Sequence, residues 1–336
     1  MNDKTKTKYC IRNGLVRPLL LSLAFGFLYG CSAKEELSGS SAAEIRLGVQ
    51  GVTRAVNTLD DLSAVGDNLG IYGVGASAAS GTVLQGGWSS DNLVMDNVRT
   101  SGVDASTGGI SWAGSYFYPV GSDRYVRFCA YHPYASGGDF SIETSASGAS
   151  PRLRFTLSGK EDIMFAGPVT GSASLRPGLL TFRHRLTQLS FCLEDAGGAF
   201  SGATLKGIVF TDANASGSMD LESGELGTWS APKEIAVPGI VDVPITGTPG
   251  APQHVGGEVM LQPGCGSFRL RVVTSLGTFE EVEIRPNSSV DGVPETAFAA
   301  GRSYLITLTL KQKSEIALSA SVVPWVMAGT GSAVVQ

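Results

Sequence analysis

Apolar and polar residues alternate with a period of two along most of this chain. Leu153, Phe155 and Leu157 alternate with Arg152, Arg154 and Thr156. Phe268, Leu270 and Val272 alternate with Arg269 and Arg271, and Ile306, Leu308 and Leu310 with Thr307 and Thr309. Such alternation predicts strands that bury one face against a second sheet. Residues 125–131 and 187–193 are aromatic or β-branched runs of strand length. Clusters such as Ser136-Gly137-Gly138-Asp139 and the Gly- and Pro-rich stretch from Thr246 to Pro252 read as turns between them. No stretch sustains a 3.6-residue apolar stripe. The expected fold class is therefore all-β, as two β-sandwich domains in series. The turn-rich stretch from Ser172 to Gly178 gives way to a new apolar run at Leu179, which sets the expected domains at 45–178 and 179–336.

Two alternating segments lie near the ends of the chain. Ile45, Leu47 and Val49 alternate with Glu44, Arg46, Gly48 and Gln50, a strand with one apolar face. Ile316, Leu318, Ala320 and Val322 alternate near the other end, and Pro324 stops that ladder.

Ahead of the first of these segments the pattern changes. Lys4, Lys6, Lys8, Arg12 and Arg17 precede an apolar run from Leu19 to Leu28, too short for the ~20 apolar residues of a membrane span. Leu28-Tyr29-Gly30-Cys31 ends it and looks like a lipobox, cut before Cys31 and lipidated on its sulfur. The expectation is a lipoprotein signal peptide at 1–30, lipidation at Cys31 and a flexible tether over 31–44. Glu35 and Glu36 are similar to a tag that exports some lipoproteins to the outer face of the outer membrane.

Removing residues 1–30 takes five basic residues and one acidic residue, moving the net charge from −5 to −9. A surface this acidic argues against nucleic acid as a partner. The 44 glycines, well above the ~7% average, suit many turns and short strands. Beyond Cys31, the cysteines Cys129, Cys192 and Cys265 are odd in number and form no CxxC pair, so buried thiols are expected rather than a disulfide framework. His132, His184 and His254 lack metal-ligand spacing, and His184, between Arg183 and Arg185, reads as structural. With no nucleophile elbow, HExxH or P-loop, no catalytic residue is assigned and the chain is read as not an enzyme. No metal or cofactor is expected. Asp212 to Gly217 matches the first half of a calcium loop, but position 12 is Ser223; a β-hairpin loop is the simpler reading and a weak calcium site the sharper one. The aromatics from Trp112 to Tyr134 read as sandwich core, with a sugar-stacking platform as the rival.

A series of phrases then comes in order: Thr53-Arg54-Ala55, Leu69-Gly70-Ile71-Tyr72, Phe117-Tyr118-Pro119, residues 126–133, residues 160–166, residues 180–186 and Gly301-Arg302-Ser303-Tyr304. This order resembles the fimbrillin family, the lipoprotein pilins of type V pili, in their Mfa-like branch. The resemblance implies two β-sandwich domains of transthyretin-like topology. It implies a structural subunit of an adhesive cell-surface fimbria, anchored in the outer membrane by lipid before processing. It also implies that an Arg-specific protease removes the first strand and that a strand from the next subunit fills the groove. On this sequence the cut falls after Arg54, with Arg46 as rival; Ile45, Leu47 and Val49 mark the removable strand, and Ile316, Leu318, Ala320 and Val322 the donor strand. Partners would be other fimbrial subunits and a host or bacterial surface ligand. The alternative is a permanently lipidated surface lipoprotein, either a pilus anchor or a module that binds glycan or a host protein.

Overall fold

Alternation in the sequence becomes strand after strand in the computed structural model, which describes residues 42–51, 59–77, 81–145, 148–287, 289–290, 293–312 and 315–323. In chain order these form β1 (Val49–Gly51), α1 (Leu59–Ala64), β2 (Gly70–Ala76), β3 (Leu93–Val103), β4 (Ile110–Trp112), β5 (Tyr125–His132), β6 (Phe140–Glu143), β7 (Arg152–Thr156), β8 (Met164–Gly171), β9 (Leu180–His184) and β10 (Thr187–Asp195). There follow β11 (Thr204–Asp220), β12 (Ser230–Ala236), β13 (Val243–Pro244), β14 (Gln253–Leu261), β15 (Phe268–Thr274), β16 (Gly277–Ile284), β17 (Ser289–Val290), β18 (Val293–Pro294), β19 (Arg302–Gln312) and β20 (Glu315–Val323). The all-β expectation holds; α1, of six residues, is the one α-helix among the described residues.

The first sheet runs β1-β9-β8-β5-β2-β3-β4. Its inner face buries Ile71, Met95, Val126, Phe128, Met164, Leu180 and Phe182 in one core. The second sandwich packs the four-stranded sheet β14-β10-β19-β20 against a sheet ordered β16-β15-β11-β7-β6, to which β12 and β13 add on β11. Between these sheets lie Leu189, Phe191, Leu205, Phe210, Leu270, Tyr304 and Ile306. Edge-to-face aromatic pairs knit this core, with Phe191 and Phe210 at 6.0 Å and Phe298 and Tyr304 at 5.0 Å between ring centroids.

A third core lies on the other face of the first sheet. Tyr72, Val74, Cys129, Tyr131 and Phe165 alternate with the residues of the first core and meet Leu153, Phe155, Met219 and Met260. This is why β2 is buried at every position, its odd and even residues facing different cores. Gly70 lets the Tyr131 ring lie on the strand; a Cβ there would stand 2.2 Å from the ring.

Pairing crosses the expected boundary at 178/179. β8 and β9 are neighbours in one sheet, and β7 pairs with β11. A turn-rich loop separates two strands there, and the sheet continues through it. Residues 43 and 44, expected at the end of the tether, are paired instead: Tyr118 N–H donates to Ala43 O at 2.9 Å and Glu44 bridges Phe117; residues 31–41 lie outside the described residues.

Candidate functional site

The segment 43–51 is held along one backbone edge from residue 43 to 49 and along the other from residue 48 to 51. On one side β1 pairs in parallel with β9, Val49 opposite Leu180 and Gly51 opposite Phe182. On the other side it runs antiparallel to residues 108–118, with Ile45 N–H donating to Tyr116 O at 2.8 Å, Val49 N–H to Gly108 O at 2.9 Å and Ile110 N–H to Leu47 O at 3.1 Å. The segment thereby joins the two ends of the first sheet and closes it into a ring. Ile45, Leu47 and Val49 are at most 5% exposed and belong to the inner core. The residues between them face outward. Arg46 pairs with Glu44 at 3.1 Å on an 83% exposed side chain, and Gln50 Nε2 donates to Thr181 Oγ1. Arg54 and Cys31, named from the sequence, lie outside the described residues.

Ile316, Leu318, Ala320 and Val322 all fall in β20. That strand pairs antiparallel with β19 at the edge of its own sheet, opposite Leu310, Leu308, Ile306 and Tyr304. In this state it is an integral strand and not a free extension.

The reading of Asp212 to Gly217 as a loop is corrected. These residues are the middle of β11, and a strand sends successive side chains to opposite faces, so they cannot encircle an ion. Asn214 Nδ2 donates to Gln262 Oε1, and Ala213 and Ala215 are core residues. Gly217 is there because the Phe155 and Trp229 rings lie against it. Among the described residues no group of His, Cys, Asp and Glu could hold a metal ion. The aromatic series is largely core: Tyr118, Phe128 and Tyr131 are buried, Trp112 and Tyr116 pack on the first core, and Phe117 is exposed.

His132 and His184 do structural work, while His254 is exposed. His184 Nδ1–H donates to Asp162 Oδ2 at 2.6 Å, and His132 Nδ1–H donates to Asp162 O at 2.8 Å. The side chains of His132, His184 and Asp162 are all buried, and burial pushes the His132 pKa below its ordinary value. The thiols of Cys129 and Cys192 are buried too, the first pushed up to about 12 by desolvation, which leaves it inert.

A paired, buried strand at the N-terminal end of a two-sandwich chain is the geometry against which comparison with known proteins is informative. A family profile described as Fimbrillin-like matches residues 53–325. This chain belongs to the fimbrillin-like family. Membership places it among cell-surface fimbrial proteins, which are structural and not enzymes. No curated protein matches the chain by sequence. Among solved structures, a protein of Bacteroides uniformis described as a candidate cell adhesion protein is similar at 21% identity and a TM-score of 0.55, covering 84% of this chain and 99% of its own. A fimbrial protein from Bacteroides vulgatus is similar at 15% identity with the same TM-score and coverage. At these identities the fimbrillin-like chain shares their fold, over nearly the whole length of each.

Proposed function

We propose that this chain is a structural subunit of an adhesive surface fimbria, exported as a lipoprotein on Cys31, trimmed after Arg54 and polymerised by strand exchange. The observation that carries this reading is the seating of residues 43–51: one extended segment, bonded on both edges, with three apolar side chains in a core. Arg54 follows its last paired residue by three positions. Burial of three such side chains contributes about 1.5–3 kcal/mol each. Their sum is a large fraction of the ~5–15 kcal/mol that stabilises a typical domain. Losing the segment also leaves Leu180, Ile110 and Tyr118 without acceptors for their N–H groups. An added strand restores both terms at once. A head-to-tail contact of this kind does not close, and so builds a fibre.

Arg46 is the weaker cut site, because Ile45 and Leu47 on either side of it are hydrogen-bonded to neighbouring backbone. The test is intact mass and N-terminal sequencing of the protein recovered from cells. A chain beginning at Ala55, within species that ladder on unheated gels, is the expected result. A chain still beginning at acylated Cys31 is the permanently lipidated alternative and would overturn the proposal. Arg54→Ala should leave a lipidated monomer, and normal fibres from that variant would remove Arg54 from its role.

A further inference from the structure

The groove left by residues 43–51 has walls that run in opposite directions. The segment is parallel to β9 and antiparallel to residues 108–118. A replacement strand therefore forms one parallel and one antiparallel ladder whichever way it enters. Backbone pairing is therefore open to either polarity, and side chains can bias the choice.

The side chains able to choose lie on the outer face of β9 and just past its end. Thr181, Arg183 and Arg185 follow one another at alternate positions and line a cleft of about 360 Å³ with Phe165, Leu179 and Ser223. The Arg185 guanidinium sits over the Phe165 ring at 5.2 Å, and its Nε is buried without an acceptor. Neither arginine is in an ion pair among the described residues. Glu225 is the carboxylate that acts on Arg185 from beyond β11, and Arg183 is the neighbouring like charge. The cleft touches the groove directly, since Thr181 accepts from Gln50 of the resident segment. Two cations outside any described ion pair, beside a slot for a strand in an acidic protein, can take a carboxylate.

We propose that this cleft is a carboxylate-binding site that fixes strand polarity, and that Glu315 at the start of β20 of a second copy fills it. The proposal rests on the strand-exchange reading. Core positions must meet core positions, so Ile316 falls opposite Phe182 or a residue two places away. In a strand antiparallel to β9, Ile316 opposite Phe182 sets Glu315 opposite Arg183. A shift of two carries Glu315 just past the end of β9, opposite Arg185. In the reverse polarity Glu315 arrives at the far end of the groove, where Glu44 now bridges Phe117. Capture of a sugar acid is the less favoured occupant, because Arg185 covers the Phe165 ring and leaves no aromatic face for stacking.

The test uses the full chain, trimmed at its N-terminus by an Arg-specific protease, with polymer growth followed on unheated gels and by electron microscopy. Arg183→Glu, an exposed position that should fold normally, and Glu315→Arg should each slow growth about five-fold, the scale of one cross-strand charge pair. The two changes together should restore it. Arg185→Gln, checked for an unchanged Tm, should slow growth without reversing charge. Unchanged growth in Arg183→Glu and Glu315→Arg would overturn the site and leave strand exchange standing. No growth of the trimmed unsubstituted chain would overturn both. Binding of a glucuronate oligosaccharide that Arg183→Glu abolishes, with growth unaffected, would assign the cleft to glycan and overturn the proposal.

Discussion

At the scale of single residues, Asp162 is the best example of chemistry absorbed by structure. Its carboxylate and its carbonyl hold two buried histidines from β5 and β9. His132 gives this cluster a pH signature. Desolvation is the largest influence on it and depresses its pKa, opposed by Asp162 and Asp67 and reinforced by His184. Unfolded, the same side chain takes a proton near pH 6.5. The unfolded state therefore binds more protons, and the contribution of His132 is complete above about pH 6.5 and shrinks as pH falls below it. The expected result is a Tm that drops from pH 7 to pH 5 in the unsubstituted protein and drops less in His132→Asn, measured by circular dichroism. Equal slopes would show that His132 does not titrate on unfolding. The sequence made the structural role of His184 legible through its place on a strand. It did not reveal Asp162, which lies 22 residues away and meets His184 only through the pairing of β8 with β9.

At the scale of elements, strands whose alternation uses large side chains were legible, and strands whose alternation uses small ones were not. Ile45, Leu47 and Val49 announce a one-faced strand, and they are buried in register. The middle of β11 alternates alanine with Asp212, Asn214 and Ser216, a composition that also suits a turn. Those alanines share a core with large rings such as Phe210 and Phe268, a membership that no local pattern records. The N-terminal strand offers a direct energetic test. Leu47→Ala removes a buried side chain at the ring closure and should cost about 2–5 kcal/mol, read as a shift in denaturant midpoint. Arg46→Ala, at an exposed and weakly paired position, should change stability by less than about 0.5 kcal/mol. A Leu47→Ala effect as small as that of Arg46→Ala would mean that the segment closes the ring through backbone pairing alone.

At the scale of the whole molecule, two sandwiches share a third core, and that sharing decides how the molecule unfolds. The two-layer pattern was legible because each strand declares its own buried face. Their union was not, because it rests on β7 pairing with β11 and on Tyr72, Tyr131 and Phe165 meeting Leu153, Phe155 and Met260 across long sequence distances. The turn-rich composition at 172–178 marks a loop, and composition alone cannot say whether a loop ends a sheet or turns within it. A fibre subunit gains from the union, since pulling on one sandwich loads the other through a packed interior rather than a linker. The expectation is a single cooperative unfolding transition for the untrimmed chain, with fluorescence and circular dichroism coinciding. Phe155→Ala, which empties the shared core, should cost about 3–5 kcal/mol. Because both sandwiches lean on that ring, the variant should keep one transition at a lower midpoint if coupling is spread over the shared core. Two separated transitions in Phe155→Ala would instead locate the coupling in that single side chain.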